Sequence, residues 1–270
     1  MPRVLAMNSN SWHGFPLEQA IAGTVAAGFH HIELTATIGW TEHVFPTMSF
    51  RDLWNTKDAL AAAGLSVIGL SGHTNVMDTA RIPDFLANIR LAAFFGAKFI
   101  VTSIGEAHIK DAAVASDAQV AENIAGLLPY VTDHGLTLAL ENHGEHGTGR
   151  RLKNIVDLID SPSVVINYDT ANAIFYGPVD VAEDLAVALP RVGYVHLKDK
   201  AGDWNEWNFP APGLGYVDFP EILSQFVQAE NDAPFSVEIE FTAAGPADLA
   251  EVDAAAVQAA KYLTTLGLAL

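Results

Sequence analysis

Four residues able to bind a hard cation or move a proton, Glu141, Asp169, His196 and Glu238, stand at the ends of four short apolar runs, LALE, VVINYD, RVGYVH and FSVE. A carboxylate that closes an apolar strand is expensive if buried alone, because an unpaired charge in a low-dielectric interior costs several kcal/mol or takes up a proton. Three carboxylates and an imidazole around one point therefore need one another or a cation. Hard oxygens with one nitrogen suit Mn²⁺ first, with Mg²⁺, Co²⁺ or Zn²⁺ as alternatives. Such a cation polarises carbonyl and hydroxyl oxygens and acidifies the C–H beside them, and neighbouring carboxylates are placed to carry that proton.

Polar residues flank the four. His143 follows Glu141 by two, Asn172 follows Asp169 by three, Lys198 follows His196 by two, and Glu240 follows Glu238 by two. Glu238 and Glu240 share parity along a strand, so both could face inward; Glu238 is the expected fourth ligand and Glu240 a substrate-facing group. Earlier in the chain Asn8, Trp12 and His13, then Glu33, then Ser71, His73 and Asn75 offer further substrate-binding groups. Trp12, Trp40, Trp204 and Trp207 could cover the C–H faces of a sugar while polar groups bind its hydroxyls. Taken singly, each of these is more often structural; the set is what points to a site.

The spacing says which elements must position them. Strand ends 28, 27 and 42 residues apart converge only if each strand returns through a crossover to the same sheet edge, as in a parallel barrel. Periodicity gives eight strands, Arg3–Met7, His31–Leu34, Leu65–Leu70, Lys98–Thr102, Leu136–Leu140, Val164–Tyr168, Val192–Val195 and Phe235–Ile239. They are continuously apolar, as expected of parallel strands covered on both faces. Helices are expected over Leu17–Ala27, Phe50–Ala63, Ile82–Phe95, Val114–His134, Arg151–Ile159, Val179–Leu189, Phe219–Ala229 and Ala247–Leu266. Gly28, Gly64, Gly96 and Gly135 follow four of these as left-handed caps. A longer segment, Asp199–Tyr216, precedes the seventh helix and reads as an active-site cover. The fold class is α/β, a single (β/α)8 TIM barrel over residues 1–270, whose length matches the roughly 250 residues typical of that fold.

Composition narrows the partners. Zero cysteines exclude disulfides, thiolate metal sites and thiol nucleophiles. The start of the chain lacks the apolar core of a signal peptide and no run is long enough to span a membrane, so a cytoplasmic protein without membrane association is expected. Thirty-two acidic against 14 basic residues, net charge −18, repel nucleic acid and anionic surfaces. A small neutral sugar fits better than a phosphorylated substrate, and a homo-oligomer is compatible with the sequence.

At LALENHG (138–144), NYDTAN (167–172), VHLKDK (195–200) and FSVEIEF (235–241) the chain resembles the sugar phosphate isomerase/epimerase family of xylose isomerase-like barrels. That family also holds ketose 3-epimerases, inosose dehydratases and an endonuclease branch. The resemblance implies that Glu141 and Glu238 serve both as metal ligands and as the acid and base working on opposite faces of a ketose through an enediolate. It departs at Asn172, where several family epimerases carry a histidine; an amide cannot donate a proton as an imidazolium can. A metal-dependent lyase or dehydratase on inosose-like or 3-keto-glycoside substrates shares the first proton abstraction and is the alternative. A sugar-binding barrel without catalysis is a third reading.

Overall fold

The computed structural model describes residues 3–105 and 115–270. Eight parallel strands close a barrel: β1 (Leu5–Asn8), β2 (His31–Thr35), β3 (Ser66–Ser71), β4 (Phe99–Thr102), β5 (Thr137–Glu141), β6 (Val164–Asp169), β7 (Val192–Leu197) and β9 (Phe235–Val237), with β9 pairing back to β1. The remaining pair, β8 (Asn208–Phe209) and β10 (Phe241–Thr242), forms an antiparallel ribbon outside the barrel. Helices α1 (Leu17–Ala26), α2 (Phe50–Ala62), α3 (Ile82–Phe95), α4 (Asp117–Asp133), α5 (Gly149–Ile159), α7 (Val181–Ala188), α8 (Phe219–Gln228) and α9 (Leu249–Thr265) flank it, with the one-turn α6 (Asn172–Tyr176) directly after β6. The expected eight strands and eight helices are all present. Val114, the expected start of the fourth helix, lies outside the described residues, and α4 begins at Asp117 behind a capping box of Ser116 and Gln119.

Local chemistry explains the boundaries. The four expected cap glycines all take positive φ; Gly96, at φ 79°, ends α3 and turns its N–H back to the carbonyls of Ala92 and Ala93. Continuous burial of β1 and of most of β5, β6 and β7 reflects cover on both sides. Outside the sheet the large core fills the ring between strands and helices. Inside it Val101, Ala139 and Tyr194 form a second, smaller apolar layer with Ile68, Phe99 and Val165 against them. That inner layer plugs the barrel below the strand ends, so polar side chains one step further along the same strands are stacked on a closed apolar floor.

Candidate active site

Inward-facing positions of β5, β6 and β7 deliver Glu141, Asp169 and His196 to one place, with ligand atoms within 4.8 Å of one another. All three are buried. Asp169 Oδ1 accepts the N–H groups of Ala171 and Asn172 at 2.9 and 2.8 Å, whereas Oδ2 is buried without a hydrogen bond. His196 Nε2 meets Glu33 Oε2 at 3.0 Å, and Tyr194 donates its hydroxyl to the same carboxylate at 2.9 Å. That pairing turns Nδ1 inward, 3.1 Å from Glu141 Oε2 and 3.5 Å from Glu238 Oε2, out of line for a hydrogen bond to either. A buried carboxylate oxygen and a buried imidazole nitrogen thus converge with no aligned partner. A divalent cation fits those two atoms, and the Glu33–His196 pair is the orienting arrangement that metal-bound histidines use.

Glu141 is held as an anion from several sides. Asn172 donates to Oε1 at 2.9 Å, Asn167 donates to Oε2 at 3.1 Å, and His73 Nε2 lies 3.4 Å from Oε2. The Ser103 N–H donates to His73 Nδ1 at 3.1 Å, so the ring proton sits on Nε2 and points at the glutamate. Burial pushes the Glu141 carboxyl up, but His73 and His196 outweigh it and hold it well below its ordinary range. Glu238 stands just past β9 and accepts from Asn10 at 2.9 Å, with Lys198 Nζ 3.4 Å from its other oxygen. Burial raises its carboxyl as well, and Lys198 and His196 bring it below its usual value. Lys198 also pairs with Glu240 and lies 3.8 Å from Asp169 Oδ2. Despite that ammonium, burial raises the Asp169 carboxyl to about 7 in the absence of a cation, a charge still undercompensated.

A cavity of about 360 Å³ opens above these groups. Of the residues expected to meet substrate, Ser71, His73, His143, Asn172, Lys198 and Glu240 line it together with Glu141 and Glu238. Glu33, Asn8, Trp12, His13 and Asn75 do not line it. Glu33 is fully buried under His196, where it orients the imidazole. Asn8 is fully buried beneath the first loop, its Oδ1 accepting from Asn10 N–H and Thr35 Oγ1. Trp12 is fully buried against α1 and donates to Asp253 of α9 at 3.0 Å, so it fastens helices and covers no sugar.

Two residues that touch these groups carry no mark in the sequence, and a third does. Asn10, in the short 3₁₀ turn after β1, donates to both Glu238 and Glu240. Tyr176 reaches the wall from α6 with its hydroxyl 3.2 Å from His143 Nε2. Asn167 was detectable: it shares parity with Asp169 in an otherwise apolar strand, a polar residue aimed at the barrel axis.

The match to a family model for xylose isomerase-like TIM barrels runs over residues 21–265. The chain belongs to that family. It is 25% identical over 243 residues to an L-ribulose 3-epimerase of Methylomonas sp. (strain DH-1), covering 85% of this chain and 80% of that protein. It is 26% identical over 141 residues to an inosose dehydratase of Bacillus thuringiensis (strain Al Hakam), covering 45% and 46% of the two chains. The crystal structure of a Methylomonas D-allulose 3-epimerase superposes with a TM-score of 0.77 at 21% identity over 98% of this chain and 99% of that one. These family relatives are thus isomerases and lyases. The four residues read at the strand ends occupy the mouth of that barrel here, and Asn172, the departure noted in the sequence, spends its amide on Glu141.

Proposed function

We propose that this protein is a divalent-metal-dependent isomerase or epimerase that removes a proton beside the carbonyl of a small, unphosphorylated sugar or keto-sugar. The carrying observation is the pair of buried glutamates, Glu141 at the end of β5 and Glu238 just past β9, facing one cavity on either side of His196. Glu141, Asp169, His196 and Glu238 would hold the cation, Mn²⁺ being the first choice for a mixed oxygen and nitrogen set. When bound it supplies Lewis acidity to the substrate's carbonyl and neighbouring hydroxyl oxygens.

The protein's own groups supply the proton chemistry. Both glutamates are kept ionised, Glu141 chiefly by His73 and His196 and Glu238 chiefly by Lys198, so each is ready to accept a proton. Amides from Asn172, Asn167 and Asn10 fix their directions, which is what a near-attack geometry requires. One carboxylate takes the proton from one face of the α-carbon, and the other returns one to the opposite face. Phosphate is disfavoured because the cavity's cations are engaged: Lys198 by Glu238 and Glu240, Arg81 by Asp84 at 2.9 Å.

A lyase reading shares the first step and is favoured by one feature of the wall. An elimination needs an acid for the departing oxygen, and the Tyr176 hydroxyl, 3.2 Å from His143 Nε2, stands in the cavity wall with a proton to give. Incubation with candidate ketoses and inososes in D₂O, followed by mass analysis, separates the two. An isomer of unchanged composition carrying one solvent deuterium supports epimerisation, and loss of water supports the lyase. Glu141→Gln and Glu238→Gln should each lower turnover by at least about 100-fold, within the range for a lost acid or base. Near-normal kinetics in either variant would remove that residue from the proposed chemistry.

A further inference from the structure

The mouth of the cavity has a different chemistry from its floor. Between β2 and α2 the chain folds back on itself, with Thr37 N–H bonded to Thr41 O at 3.0 Å, Trp40 N–H bonded to Thr37 O at 3.1 Å and an antiparallel bridge between Ala36 and Glu42. Gly39 at the tip takes φ 76°, a conformation that favours glycine. This small hairpin presents Trp40 to the cavity while leaving it 47% exposed.

This indole stands at the cavity mouth beside Trp207 and is held still. Trp40 stacks on the His13 ring with centroids 4.2 Å apart and planes 15° from parallel. Trp207, from the loop between β7 and α8, meets it edge-on at 6.2 Å. His13 is fixed in turn by a chain of hydrogen bonds whose direction can be read. Asn10 donates its amide to Glu238 and Glu240, leaving Oδ1 as acceptor for the Thr41 hydroxyl at 2.7 Å. Thr41 has therefore spent its proton, and His13 Nδ1, 2.7 Å from Thr41 Oγ1, must carry the hydrogen that it donates. The aromatic step is built from the same side chains that aim Glu238, so step and floor keep a fixed relation.

The layers separate by element. Groups at the strand ends, Asn10, Ser71, His73, Glu141 and Glu238, are polar and suit the hydroxyls and carbonyl of one sugar ring; Ile38, Trp40 and Trp207 belong to loops beyond the strands. The reacting bonds must lie over the buried floor, where Asp169 and His196 are inaccessible. A half-exposed indole at the rim is left for whatever the sugar carries. We propose that the Trp40–His13 step is a second subsite, for a neutral ring joined to the reacting sugar through a glycosidic oxygen, so that the substrate class is ring-bearing keto-glycosides rather than free monosaccharides. This rests on the floor handling a keto-sugar, as proposed above.

Calorimetry on the protein, first titrated with Mn²⁺, reads the subsite with matched methyl and 4-nitrophenyl pyranosides of glucose, galactose, mannose and xylose. For at least one sugar the nitrophenyl member should bind about tenfold more tightly than the methyl member, the upper range for one aromatic contact. Trp40→Ala should abolish that gain and leave methyl glycoside and Mn²⁺ affinities unchanged, while Trp40→Phe should keep most of it. Equal affinities within every pair, including no binding by either member, or a gain that survives Trp40→Ala, would overturn the subsite. The Mn²⁺ titration reports separately on the floor. Normal cation binding with equal pair affinities removes the subsite alone, whereas absent cation binding removes the metal-dependent reading and leaves the subsite to be judged on the pairs.

Discussion

Asp169 divides its labour between two oxygens. Oδ1 caps the turn into α6 by accepting two backbone N–H groups, and Oδ2 faces the cluster without a hydrogen bond. Asp169→Asn keeps an oxygen for the turn and deletes the charge, so it should weaken Mn²⁺ binding by at least about tenfold with little loss of melting temperature. A large fall in stability without a fall in affinity would assign the residue to the turn alone. The pH dependence has a definite sign. Without a cation, burial lifts the Asp169 carboxyl to about 7, so below that pH a proton occupies the place the cation needs. His196, burial notwithstanding, is held well above its ordinary value by Glu33, Glu141 and Glu238, and it too must release a proton before Nδ1 can bind. Mn²⁺ affinity should therefore rise about tenfold or more from pH 6 to pH 7.5, with proton release visible as a buffer-dependent calorimetric enthalpy. Flat affinity across that window would mean the ligands are already deprotonated or lie elsewhere.

At the scale of the element, legibility followed burial. β5, β6 and β7 made their candidate ligands visible because a strand covered on both faces reads as an apolar run, and a charge at its end stands out. Glu33 was equally visible, but the same rule misassigned it: a carboxylate inside β2 is as well explained by a histidine on β7 as by a substrate, and strand neighbours in a barrel cannot be paired from one sequence alone. Asn10, Tyr176 and the β8–β10 ribbon sit on elements of five residues or fewer, too short for any periodicity to mark. Gly69 shows a packing constraint of the same hidden kind. A methyl group there would stand 2.8 Å from the Tyr194 hydroxyl, which holds Glu33, which holds His196. Gly69→Ala should cost roughly 1–3 kcal/mol by overpacking, and its signature should be Mn²⁺ affinity lost along with stability. Glu33→Gln, which retains an acceptor but not the charge, should weaken Mn²⁺ at the low end of roughly 10–100-fold. If Gly69→Ala lowered the melting temperature and left Mn²⁺ binding untouched, the relay from β3 through Tyr194 to His196 would not exist.

For the molecule as a whole, the net charge of −18 acts in two directions that one variable can separate. Its bulk is dispersed over the surface, where like charges repel and strain the compact state. A local excess gathers at the barrel mouth, where Glu33, Glu141, Asp169, Glu238 and Glu240 converge with Lys198, His196 and His73 as basic groups among them. Salt screens both, because the Debye length shrinks from about 30 Å at 0.01 M to about 3 Å at 1 M. Raising sodium chloride from about 20 mM to 500 mM should raise the melting temperature of the cation-free protein, since repulsion across the surface is relieved. The same change should lower Mn²⁺ affinity severalfold, since the attraction that draws a cation to the mouth is weakened, the buried ligands themselves being screened least. Opposite slopes, measured by calorimetry on one preparation, would tie stability and binding to a single charge distribution. A melting temperature that rises while affinity stays flat would mean that the site's affinity is set by its ligands alone and that the acidic surface serves only to keep the barrel apart from anions.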